Sequence, residues 1–212
     1  MKGGILLKKY FTVIPLQEPL SLTSSVYECG DNISLKNDLE TSFPILIPIY
    51  NDVMEGEKIS VVQINIDDGP NLIENAAKFK LELEQIQQKK KFDFEIRTID
   101  ISFTETIDNQ INLFTEILNS VNENDEITAD ITYGTKAIPI IMINALECIS
   151  KTIKNTSINR IVYGLKNFKT HEKQIFDVSA LFFLNSALDS LIKANIPINK
   201  ELIKSMLEMG GD

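Results

Sequence analysis

The chain has one histidine and two cysteines, and this scarcity removes several chemistries at once. Zinc sites are built from Cys and His clusters at short spacing, so His171, Cys29 and Cys148, widely separated in the chain, predict no metal site. The two cysteines also make a poor disulfide framework and fit a reducing, cytoplasmic setting. Cys29 falls in a loop-like stretch, and Cys148 lies on a strongly apolar segment, where it reads as a core residue. Long apolar runs are missing too. None approaches the roughly 18 residues that a membrane span needs. The start, Met1–Lys9, has a short apolar patch but lacks the longer hydrophobic stretch and small-residue cleavage site of a signal peptide, so it reads as the approach to a strand.

Positive charge is also in short supply: 21 Lys and Arg stand against 30 Asp and Glu, a net charge of -9. Binding a long nucleic acid requires a broad basic face to displace counterions, so no such partner is expected. A small anion is different. Backbone N–H groups and one or two cations suffice for it, whatever the overall charge.

What is present is ordinary globular composition. With 212 residues, 43% hydrophobic and 24% charged, the chain can bury one large core. Strand-like segments at Tyr10–Ile14, Ile59–Ile66, Phe94–Ile101, Glu126–Ile131 and Arg160–Gly164 alternate with helical spacing over Leu72–Gln88, Thr106–Asn122, Ala137–Thr152, Ser179–Ala194 and Lys200–Met209. That alternation predicts an α/β, Rossmann-like fold: a mostly parallel sheet with helices on both faces. Residues 1–178 are expected to form the ligand-binding domain, and residues 179–212 a helical extension packed on it. Pro15–Phe43 has no steady period and is expected to include a long loop after the first strand. The run Lys89-Lys90-Lys91 closes a helix, where lysines complement the negative end of the helix dipole.

The segment Asp130-Ile131-Thr132-Tyr133-Gly134-Thr135-Lys136-Ala137-Ile138-Pro139 leaves a strand and enters an apolar helix. Gly134 allows a tight turn and close backbone approach, Thr135 can cap the helix or donate its hydroxyl, and Lys136 supplies a point charge. Exposed amides at the helix start add partial positive charge. The spacing is that of neither a Walker P-loop nor the dinucleotide fingerprint. Asp130 would repel an anion and is expected to brace the turn by accepting N–H bonds. The plain reading is a strand-to-helix turn with a solvated lysine.

Other patterns have plainer readings. Asp67-Asp68-Gly69-Pro70 could touch a ribose hydroxyl or a metal, but its residues are standard turn formers. Asp93-Phe94-Glu95-Ile96-Arg97 superficially matches a nuclease arrangement, yet its alternation is that of a half-buried strand. His171 sits among charged residues of a hairpin or loop and is not expected to be catalytic.

The Asp-x-Thr-x-Gly-x-Lys pattern at Asp130, Thr132, Gly134 and Lys136 resembles the signature turn of CARF domains, the CRISPR-associated Rossmann-like sensors. Downstream, Ile161-Val162-Tyr163-Gly164 is similar to the family's strand ending in Tyr-Gly. Ile175-Phe176-Asp177-Val178-Ser179-Ala180-Leu181 resembles the segment that opens the next helix in one branch of the family. The resemblance spans Asp130–Ala194; upstream only the order of elements matches. It implies a homodimer whose two turns face one groove and bind a cyclic oligoadenylate, with cyclic tetraadenylate favoured, in type III CRISPR antiviral signalling. A symmetric ring suits a symmetric dimer. Thr132, Tyr133, Gly134, Thr135 and Lys136 would line the groove, joined by Pro15, Leu16 and Gln17 after the first strand. No cofactor is implied, and a downstream effector protein is an expected partner.

The alternative is a ring nuclease, in which a ribose 2'-OH attacks the adjacent phosphate without metal and Lys136 stabilises the developing charge. A third reading is an unrelated mononucleotide binder or a dimerisation scaffold. No Arg precedes His171 at the spacing of a HEPN ribonuclease, so the chain reads as a sensor without an attached effector, or as a piece of a longer protein.

Overall fold

A computed structural model describes residues 7–36, 38–66, 69–102, 104, 106–167, 169–170 and 172–209. Met1–Leu6, Asp67, Asp68 and His171 therefore lie outside the described residues, with the expectations attached to them. The elements are β1 (Lys8–Val13), β2 (Ser25–Val26), β3 (Glu28–Cys29), β4 (Glu40–Thr41), α1 (Leu46–Asp52), β5 (Lys58–Ile66), α2 (Pro70–Lys90) and β6 (Asp93–Ile101). There follow α3 (Ile107–Asn119), β7 (Glu126–Asp130), α4 (Ala137–Thr152), β8 (Ser157–Lys166), β9 (Lys173–Asp177), α5 (Ser179–Lys193) and α6 (Lys200–Met209).

Seven strands form one sheet in the order β3-β9-β8-β7-β1-β5-β6. β1, β5, β6, β7 and β8 run parallel, and β9 runs antiparallel to β8. β5 is buried along nearly its whole length, as a strand covered on both faces must be. Along β1 and the residue after it the side chains alternate: Tyr10 and Ile14 join a core with α1 and α2, while Phe11 and Val13 join a second core with α3 and α4. Each fully buried Phe or Ile contributes about 1.5–3 kcal/mol. This is the Rossmann-like α/β architecture. Among the described residues, no helix is long and apolar enough to cross a membrane.

The topology locates a crevice. From β1 the chain moves outward to β5 and β6, then returns to the other side of β1 for β7 and β8. The loops after β1 and β7 consequently diverge at their carboxyl ends, which in open parallel sheets is where ligands sit.

Several expectations need correction. Besides its loop, Pro15–Phe43 contributes β2, β3 and β4, which were not assigned, and β3 joins the sheet edge beside β9. Strands of two residues are too short for alternation to show. Helix α1 was not anticipated, because Leu46 to Tyr50 are all buried and present no polar stripe, and Pro48 disguises a first turn that tolerates it. β9, which holds Ile175–Asp177, was not assigned, whereas the helix expected from Ser179 does open there as α5. Cys29 lies in β3, and Cys148 is only half-buried.

The lysine run does end α2, with Lys91 in the left-handed region at φ 58° and Lys89 Nζ 4.7 Å from the Tyr50 ring centre. Asp93–Arg97 is part of edge strand β6, with Phe94 and Ile96 half-buried between exposed neighbours. α5 touches the α3/α4 core through Phe182, and α6 packs on α5.

Candidate functional site

The turn between β7 and α4 is built around Asp130, which is buried to 1% exposure. Its Oδ1 accepts the amide of Thr132 at 2.8 Å and also the Thr132 hydroxyl; its Oδ2 accepts the Thr12 hydroxyl from β1 at 3.4 Å. The expected brace is present. Burial is the main cause that raises the Asp130 carboxyl from 3.8 to about 6, against these hydrogen bonds, which favour the ionised form.

Thr132 passes the restraint onward. Its Oγ1 accepts the amide of Gly164 at 2.7 Å, so β1, β7 and β8 are tied together through one carboxylate and one hydroxyl. Gly164 is required there: a Cβ would lie 2.5 Å from Pro44 Cγ and 3.2 Å from Thr132 Oγ1. That gives a steric reason for the Tyr163-Gly164 pair.

Gly134 has φ +105°, the conformation for which glycine is suited. Among the described residues, no acceptor takes the backbone amides of Tyr133, Gly134, Thr135, Lys136 or Ala137. They form a strip of free donors at the head of α4. The helix is not capped by Thr135: Lys136 occupies the cap position with no side-chain bond, and the Thr135 carbonyl accepts from Ile138 N–H at 3.1 Å. Lys136 is already helical there, which leaves no geometry for the Thr135 hydroxyl to reach back.

Beside this turn lies a cleft of about 380 Å³ at the carboxyl ends of β1, β7 and β8. Gln17, Thr132 and Tyr133 line it, together with Tyr27, the Tyr163–Lys166 end of β8, and Lys173 at the start of β9. The structure thus brings three of the candidate residues to one cavity. Thr135 instead lines a separate hollow of about 20 Å³ with Ile66, Ile101 and Asn109. Gly134 and Lys136 are exposed and line neither of these two cavities, and Lys136 has no hydrogen bond or ion pair among the described residues. Pro15 is buried and Leu16 half-buried; their loop is clamped to α2, where Asn75 Nδ2 donates to the carbonyls of Pro15 at 2.8 Å and Gln17 at 2.9 Å.

Sequence reasoning missed the cleft's own polar groups. Lys173 is 7% exposed, donates to the Thr23 carbonyl, and lies 5.2 Å from the Tyr27 ring centre. Burial lowers its pKa, helped by the charges of Lys166 and Lys78. Tyr133 Oη donates to the Ser42 carbonyl at 3.0 Å, and burial raises the pKa of both Tyr133 and Tyr27. The available signal was the pair of lysines flanking Asn167–Glu172: if that stretch is a hairpin turn, they must face each other. Among the described residues, no three or more His, Cys, Asp or Glu side chains gather as metal ligands.

The fold and site together define a Rossmann-like domain with an amide-rich turn beside a cleft at the topological switch point. No family model matches the chain. Over 98 residues, 45% of its length, it is 30% identical to CRISPR-associated protein MJ1674 of Methanocaldococcus jannaschii. The matched stretch is 15% of that protein, so the chain spans a small part of this relative's length.

Proposed function

We propose that this chain is a CARF-type sensor that binds a cyclic oligoadenylate, with cyclic tetraadenylate favoured, in type III CRISPR antiviral signalling. The observation that carries the reading is the Asp130–Lys136 turn. Its positive-φ glycine and free amides, held in shape by the buried Asp130 behind them, give an anion a place to sit on a molecule of net charge -9. Similarity to a CRISPR-associated protein supports the same direction. In this reading two copies pair about a two-fold axis, so that each turn meets an equivalent set of phosphates on one ring. The exposed Lys136 side chains point their charge toward the shared ligand, and a change in subunit packing carries the signal to an effector protein. Such coupling requires the ring to prefer one packing over another.

The buried Lys173 favours a second reading, the ring nuclease. An ammonium whose pKa is lowered in a half-closed cleft can assist attack of a ribose 2'-OH by stabilising charge on the phosphate or by moving a proton. One experiment addresses both readings. Calorimetry with cyclic tetraadenylate is expected to show binding by the wild type and at least a tenfold loss in Lys136→Glu; equal affinities remove Lys136 from the site. Incubation of the same samples in EDTA with labelled ligand yields linear products if the chain is a ring nuclease, and intact ring if it is a sensor alone.

A further inference from the structure

We propose that Lys166 and Lys173 form an anion subsite on the β8–β9 side of the cleft, away from the free amides at the head of α4, and that this subsite holds one phosphate group between their ammonium groups. The two residues are paired across the antiparallel β8–β9 ladder and line the same cavity. Directly opposed side chains on one face have Cβ atoms about 5 Å apart, so two lysines there repel each other unless something negative lies between them.

No protein carboxylate fills that role. Among the described residues neither lysine is within 4 Å of an acidic oxygen, in contrast to Lys9, Lys8 and Arg160, each of which has a carboxylate at 3.0 Å or less. Glu82 is the acid that acts electrostatically on Lys173, but its oxygens are engaged by the Thr41 hydroxyl at 2.5 Å, the Ser42 amide at 3.0 Å and the Ser24 hydroxyl at 3.5 Å. An ammonium has three donors; the Thr23 carbonyl uses one of those of Lys173, and the Tyr27 ring neutralises none of the charge. A third cation adds to the field, since Lys78 lowers the Lys173 pKa from α2. On an acidic chain, a buried cation facing another cation inside a cavity is stabilised by an anion from outside. Phosphate is the class that fits: a compact, multiply charged group that accepts from both ammonium groups at once.

The subsite stands on the cleft and does not require the ligand to be a cyclic oligoadenylate. A phosphodiester of a cyclic nucleotide and a free polyphosphate offer the same chemistry, so both are used as probes. Melting temperature and affinity are measured for the wild type and Lys166→Gln with inorganic tripolyphosphate and with cyclic tetraadenylate. Without ligand, Lys166→Gln is expected to melt about 1–3 °C higher, because the like-charge pair is relieved. It should bind whichever probe the wild type binds at least tenfold more weakly. Lys173→Gln should show the same loss; Lys166→Gln carries the test if the Lys173 variant fails to fold. Loss of tripolyphosphate binding in Lys166→Gln, with cyclic tetraadenylate bound by neither protein, upholds the subsite and removes the cyclic-nucleotide reading. Undiminished cyclic tetraadenylate binding by Lys166→Gln overturns the subsite and leaves that reading intact. Failure of the wild type to bind either probe also overturns the subsite.

Discussion

Asp125 and Asp130, five positions apart at the two ends of β7, solve the same problem in different ways. Asp125, just before the strand, is buried against Lys9 at 2.8 Å, with side-chain exposures of 3% and 5%. Its Oδ2 also accepts the amide of Asn122 at 2.7 Å, and Lys9 donates to the Ser120 carbonyl. Asp130, at the strand's other end, has amides and hydroxyls around it and no cation within ion-pairing distance among the described residues. The contrast extends along the sheet. At the amino end of the strands, Lys8 meets Glu57 at 3.0 Å, and midway along β8, level with Thr128 of β7, Arg160 meets Asp52 at 2.8 Å and Asp177 at 3.5 Å. At the carboxyl end, Lys166 and Lys173 face each other and Lys136 has no partner among the described residues. An edge whose charges cancel internally is a structural edge. An edge whose charges are left uncancelled can attract a ligand, at a cost in stability.

The largest effect should come from breaking the closed edge. Lys9→Met keeps the length of the side chain but leaves the Asp125 carboxylate buried without its cation, which typically costs about 3–5 kcal/mol. Urea unfolding at pH 7 measures it. A loss below about 1 kcal/mol would mean that the pair contributes no more than an exposed one, and the distinction between the two edges would fail. Lys9 is remote from the cleft residues in the fold, so ligand affinity should change little if the variant remains folded.

How much of this was readable beforehand depends on the physical signal each feature leaves. α4 runs Ala137–Thr152 as its spacing predicts, because one apolar stripe faces a core and a polar one faces water. Gly134 and Asp130 could be assigned roles because a glycine between strand and helix, and an acid before it, have few ways to be satisfied. Helix α1 leaves no such signal, since burial on all sides erases the polar stripe. The cleft was invisible for another reason. Lys166 and Lys173 become neighbours only through the β8–β9 register, and Tyr27 reaches Lys173 only because Pro15–Phe43 folds back over the sheet edge. Pairings of that kind are properties of the assembled sheet, and single-segment periodicity does not contain them.

A smaller effect tests the open edge through pH. Asp130 has its folded pKa raised to about 6 from 3.8, so the folded state holds this proton more tightly than the unfolded chain. Between those values the folded state binds more protons, and stability from this group, fully present below about pH 4, declines as pH rises through about 6. At about 1.4 kcal/mol per pKa unit, the decline is on the order of 2–3 kcal/mol. Asp130→Asn keeps a carbonyl oxygen to accept the Thr132 amide and hydroxyl, but cannot ionise. Unfolding of both proteins is compared at pH 4.5 and pH 7.5, where contributions from all other groups cancel in the difference. The wild type should lose about 1–3 kcal/mol relative to Asp130→Asn across that interval. A constant difference would mean that the Asp130 carboxylate ionises as easily in the folded turn as in the unfolded chain, and that the turn has no unmet charge to compensate. If the difference does move, the same titration bears on the ligand, because an ionised carboxylate behind the turn opposes an anion in front of it and binding there should weaken as pH rises past about 6.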